Sequence, residues 1–155
     1  MASQQNQIAV QWVVDEVQMA LKNAQKAFET YLADDNNKSQ LGFCRVTLHQ
    51  IVGSLRMVEL QGAALLAEEI ELLADQIDGM QDSNTAKQVL LRALLQLPIY
   101  LEKIMKSRYD EPSMLLPLLN DLRAIRKERL LTETSFFIPD LKPLDSILGS
   151  VNDAS

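Results

Sequence analysis

Leu48-His49-Gln50-Ile51-Val52-Gly53-Ser54-Leu55-Arg56-Met57-Val58-Glu59-Leu60 holds the only histidine of the chain and sets a glycine about one helical turn after it. Leu48, Ile51, Leu55 and Val58 recur at the three-four spacing of an amphipathic helix, and Leu41 and Cys44 carry the stripe backwards. The spacing predicts a helix from about Gln40 to Glu59. At 100° per residue His49 stands about 100° from Leu48, on the flank of the buried stripe, where solvent reaches it. Arg45 one turn before, Val52 and Gly53 about one turn after, and Arg56 two turns after are its neighbours along the helix. Gly53 costs the helix about 1 kcal/mol relative to alanine, a cost that close approach by a partner would offset. A lone histidine of this kind is a nucleophile, a proton carrier or a polar group at a core edge.

Helices are expected on both sides of this one. Upstream, Val10, Val13, Val17, Leu21, Ala24, Phe28 and Tyr31 keep the three-four spacing from Ile8 to Leu32, with Trp12 expected to staple a neighbouring helix. Asp34 through Ser39 is rich in turn and cap formers and reads as a hairpin turn; it lacks the spaced ligands and closing glutamate of a calcium loop. Downstream, Leu66, Ile70, Leu73 and Ile77 form one face of a third helix, with Glu68, Glu69, Glu71 and Asp75 expected outward. After the polar connection Gly79–Asn84, a fourth helix carries Val89 or Leu90, Ala93 or Leu94, Leu97, Leu101 and Ile104 as its stripe, and Pro98 is expected to bend or split it. A fifth is expected from about Ser113 or Leu116 to Leu130, with the basic cluster Arg123, Arg126, Lys127 and Arg129 offsetting its macrodipole. Phe136 and Phe137 are expected to pin an extended tail to the bundle, and Leu144, Ile147 and Leu148 to add a short helix.

Composition supports an all-α domain. Of 155 residues, 47% are hydrophobic but only 5% aromatic, and five Gly with five Pro are too few for a many-stranded topology. The single Cys44 forms no internal disulfide and fits a reducing, cytoplasmic compartment. No apolar run is long enough to cross a bilayer, and a net charge of −6 argues against a nucleic-acid partner. One His and one Cys make no zinc set, and no Gly-rich phosphate loop is present, so neither a metal nor a nucleotide cofactor is expected. Cys44 and His49 stand about 140° apart on their helix, too far round to form a thiol–imidazole dyad.

His49-Gln50-Ile51-Val52-Gly53-Ser54 resembles the core of the histidine phosphotransfer (HPt) motif, in which a helix presents His, then Lys three residues on, then Gly, then a small residue. Longer blocks resemble one branch. Leu48-His49-Gln50 through Met57-Val58-Glu59-Leu60, Gly62 through Glu69, Leu97 through Glu102 and Leu115 through Ala124 are similar to the N-terminal domain of CheA-like histidine kinases of the Chp/Pil chemosensory system, which controls type IV pili and twitching motility. The resemblance covers about Ala9 to Leu141. It implies an HPt-like antiparallel four-helix bundle with an additional C-terminal helix and an extended tail. The expected division is a disordered lead over 1–7, the bundle over 8–131 and an extended segment leading to a linker over 132–155.

The resemblance also implies a role for His49 as candidate phosphoacceptor, with response-regulator receiver domains, a kinase core of the same pathway or pilus-signalling proteins as partners. Val52 replaces the family's lysine, which favours phosphate near the imidazole; Arg45 or Arg56 is expected to supply positive charge from the same flank. Two functions therefore stay open. One is a phosphorelay module with His49 as phosphoacceptor, which has no ATP site and does not autophosphorylate. The other is a degenerate HPt-like scaffold that recruits pilus-signalling proteins and transfers nothing.

Overall fold

The computed structural model describes residues 2–81, 83–107 and 111–132. Five helices follow in order: α1 (Ala2–Ala33), α2 (Lys38–Met57), α3 (Gln61–Gln76), α4 (Ser83–Ser107) and α5 (Leu116–Ile125), with 3₁₀ turns at Ile77–Gly79 and Pro112–Leu115. No strand occurs among the described residues. Helix α1 packs on α2, α2 on α3, α3 on α4 and α4 back on α1, while α5 lies against α3 and α4. The expected stripes form the core: Leu21, Phe28, Leu48, Ile51, Leu55, Leu66, Ile70, Leu73, Leu90, Leu94 and Leu101 are all essentially inaccessible, and Leu122 of α5 joins them.

The turn before α2 works as its composition implies. The Asn36 amide donates to Asp34 Oδ1 at 3.1 Å, an Asx turn that reverses the chain. At the other end of α2, Glu59 takes φ 64°. The Leu60 amide donates to the Leu55 carbonyl and the Glu59 amide to the Arg56 carbonyl, both at 3.0 Å, which makes a Schellman cap. Leu60 then leads directly into α3, so α2 and α3 form a tight antiparallel hairpin.

Several expectations are corrected. Residues 2–7, expected as a disordered lead, begin α1, because Ala and Gln are good helix formers and nothing before Ile8 breaks a helix. Trp12 staples nothing: it is 70% exposed on the outer face of α1. Helix α5 ends at Ile125 and not near Leu130, because Lys127 adopts φ 61° and the Glu128 and Lys127 amides close a second Schellman cap on Arg123 and Ala124. Leu131 then doubles back on α5, its amide donating to Asn120 Oδ1 at 2.7 Å and its carbonyl accepting from Asn120 Nδ2 at 3.0 Å. Glu69, expected outward, is 2% exposed. It takes Arg123 Nη1 at 2.6 Å and Arg126 Nη2 at 2.7 Å, so two of the four basic residues assigned to the macrodipole bind α5 to α3. A buried carboxylate requires such pairing, since an unpaired charge there costs several kcal/mol. The expectations for Phe136, Phe137 and the Leu144–Leu148 helix lie outside the described residues.

Pro98 sits inside an α4 that runs through it as one helix. Proline has no amide hydrogen, so the carbonyl four residues back, that of Leu94, loses its helical donor. Gln25 of α1 replaces it, Nε2 donating to the Leu94 oxygen at 2.7 Å, and Gln18 Nε2 donates to the Pro98 oxygen at 3.0 Å. Gln25→Ala is expected to cost about 1–2 kcal/mol by stranding a part-buried acceptor. In a Pro98→Ala background, where the backbone donor returns, the same substitution should cost at most half as much. Urea unfolding of the double-mutant cycle measures the difference, and equal costs in both backgrounds would contradict the assignment.

Candidate functional site

His49 projects from the middle of α2 toward solvent, its side chain 79% exposed, while Leu48 and Ile51 beside it lock the helix into the core. Its Nδ1 lies 2.8 Å from Glu71 Oε2 of α3. An ionised carboxylate only accepts, so in the neutral ring Nδ1 carries the hydrogen and Nε2 keeps its lone pair toward solvent. Glu71 is itself well covered, with 18% of its side chain exposed, so the pair has a fixed member and a free one. The arrangement presents an oriented, unprotonated nitrogen at the surface of a rigid hairpin.

The flanking cations are engaged on the same face. Arg45 Nε donates to Asp75 Oδ1 at 2.6 Å, and Arg56 pairs with Glu68. The result is a ladder across the α2–α3 seam, with Arg45, His49 and Arg56 on one rail and Asp75, Glu71 and Glu68 on the other. Val52, one turn beyond His49, is only 4% exposed and belongs to the core. The position is on the inner side of the helix, where valine contributes burial and a charged group would have to be desolvated.

A shallow cleft of about 530 Å³ opens beside the histidine, lined by Gly42, Arg45, Val46, His49, Gln50, Glu71 and Asp75. His49 and Arg45 of the sequence-derived set meet there; Gly53, Val52 and Arg56 do not line it. Beyond the chain neighbours and the backbone of the helix itself, no heavy atom lies within 4 Å of the place a Cβ would take at Gly53 or at Gly42, so no internal packing demands glycine at either. Glu71 and Asp75 were missed because an acidic helix face reads as solvated. The signal was present: a hairpin with a turn this short aligns residue pairs of nearly constant index sum, and 45 with 75, 49 with 71 and 56 with 68 obey it.

Among the described residues no cluster of His, Cys, Asp and Glu side chains is arranged to hold a metal ion, and no helix is long and apolar enough to cross a membrane. Cys44 is buried in the core, and desolvation pushes its thiol up to about 12. A thiol pKa raised from 9 means that the folded state favours the neutral form. The stability this contributes is therefore complete below pH 9 and declines as pH rises from there toward 12. Ellman's reagent at pH 8 is expected to leave the native chain unmodified and to titrate one thiol in denaturant; rapid native labelling would contradict this burial.

A helical hairpin carrying an exposed histidine is thus closed into a bundle by two further helices. The fold matches the phosphorylated P1 domain of CheA3, solved in complex with CheY6, from R. sphaeroides, with a TM-score of 0.69 at 21% identity, covering 79% of this chain and 99% of that one. Residues 4–118 match the family described as the FimL C-terminal domain, and the chain belongs to that family. Scaffold protein FimL of Pseudomonas aeruginosa is 34% identical over 127 residues, which is 81% of this chain. The chain spans only 23% of that relative's length. The family that matches is thus named for FimL, where the sequence blocks resemble a CheA-like kinase.

Proposed function

We propose that this chain is an HPt-like docking module of a chemotaxis-type assembly acting on type IV pili, and that it recruits cytoplasmic signalling proteins without relaying phosphate. The observation that carries this reading is the charge arrangement at His49. The position where an HPt domain has lysine is core valine, and both neighbouring arginines are held by carboxylates of α3. An incoming phosphoryl group would meet a seam whose cations are already matched, and Glu71 beside it is acidic. Membership of the FimL family, whose relative is named a scaffold protein, supports the same reading. The cleft edge offers Val46 and Gln50 beside His49, with Phe43 and Met57 exposed elsewhere on α2, a surface suited to binding a folded partner such as a receiver domain or a kinase core.

A second reading, with His49 as phosphoacceptor, is supported by its hydrogen bond to Glu71. In that chemistry the Nε2 lone pair attacks the phosphorus of a receiver's aspartyl phosphate. The P–N bond forms as the P–O bond to aspartate breaks, the aspartate leaves as carboxylate, and Nδ1–H stays on Glu71.

One experiment separates the two. The chain is incubated with phosphorylated receivers of the pilus pathway and, separately, used to capture them. The scaffold reading expects capture that survives His49→Gln, falls at least about tenfold in Val46→Glu, and leaves no acid-labile phosphohistidine. Label on the wild type that disappears in His49→Gln would overturn it in favour of the second reading.

A further inference from the structure

Ile8, Trp12 and Met19 stand on one outward stripe of α1 and are 61%, 70% and 69% exposed. At 100° per residue they fall within about 40° of one another, opposite the buried Val17, Leu21 and Phe28. Asp15 widens the stripe to about 60°, and the series 8, 12, 15, 19 has the four-three-four spacing of a helix-pairing seam. Ile8 and Ala9 are exposed, and from Gln7 onward Val10 and Val13 are the first side chains to pack on the core. Large apolar side chains held outward in a row on one helix mark a surface that a partner covers. No charged residue occurs from Ala2 to Val14.

We infer that this stripe is a self-association surface on which α1 pairs antiparallel with α1 of a second copy of the chain. The sequence selects the occupant. In an antiparallel pair whose facing positions sum to 27, each Ile8 meets the partner's Met19 and each Trp12 meets the partner's Asp15. Every seam position then faces a seam position, and the two-fold axis produces both contacts twice. The indole N–H has a carboxylate acceptor in Asp15, which already takes Gln11 Nε2 at 2.8 Å and has further lone pairs. No like charges face each other in this register, whereas centring the pair on Trp12 would put Ile8 against the partner's Glu16. The uncharged first turns let two N-terminal halves pass one another without repulsion. The seam spans about three turns, so it covers well under the ~800 Å² per partner of a standard interface, and association is weak. The surface lies on a different helix from the His49 cleft and does not depend on the reading of that site.

Sedimentation velocity of the full chain is expected to show a reversible monomer–dimer equilibrium between about 10 µM and about 1 mM, the range for an interface of this size. Trp12→Glu should abolish the dimer while circular dichroism and melting temperature stay unchanged, because the side chain touches no core. Register is read by mixing Ile8→Cys and Met19→Cys chains under mild oxidation, where buried Cys44 does not compete. The mixed 8–19 disulfide should form at least about fivefold faster than either like pair. A monomer at every concentration, a dimer that persists in Trp12→Glu, or faster 8–8 cross-linking would each overturn the proposal, the first indicating that a different protein covers the stripe.

Discussion

Every feature of the candidate site depends on how α3 disposes of its carboxylates. Four acidic residues within two turns would repel one another on an isolated helix, and each has a different partner side chain on a neighbouring segment. Glu68, Glu71 and Asp75 face α2 and pair with Arg56, His49 and Arg45; Glu69 faces the other way, into the interior, and takes two arginines of α5. Exposed pairs such as Arg45–Asp75 add little stability individually. Their effect is positional: buried Leu48, Ile51 and Leu55 set the angle of α2 about its axis, and Glu71 holds the imidazole with Nδ1 inward. The buried Glu69 cluster does the opposite service, anchoring the last helix to the hairpin.

That arrangement explains why a family likeness and a site likeness diverge here. The fold is shared with the P1 domain of CheA3, at an identity too low to carry more than the fold. Where phosphate chemistry benefits from a free cation beside the imidazole, this chain has an apolar side chain in the core and arginines matched to acids. Docking requires shape and exposed apolar area, which α2 provides without any such cation.

Much of the architecture was legible in the sequence, because the apolar stripes of all five helices are long and strongly periodic. Leu48, Ile51 and Leu55 identify the inner face of α2, and from them the outward angle of His49 follows. Helix ends were less legible: Glu59 and Lys127 adopt left-handed conformations that usually call for glycine, and nothing local in either residue type announces a stop. Burial of Glu69 depends on arginines more than fifty residues away, a long-range pairing that no window along one helix contains. Trp12 misled for the converse reason, since its size suggests the interior while its angle places it outside. Pro98 predicts a bend or a break, and α4 continues through it with Gln25 of α1 supplying the donor that the Leu94 carbonyl lacks.

The most direct test of this account is the tautomer of His49, read from the ¹⁵N shifts of its ring in a long-range ¹H–¹⁵N correlation spectrum at alkaline pH. The chain has one histidine, so assignment needs no further labelling. Hydrogen on Nδ1, lost to the ordinary Nε2–H form in Glu71→Ala, is the predicted result. A wild-type ring already protonated at Nε2 would contradict the claim that α3 orients the histidine.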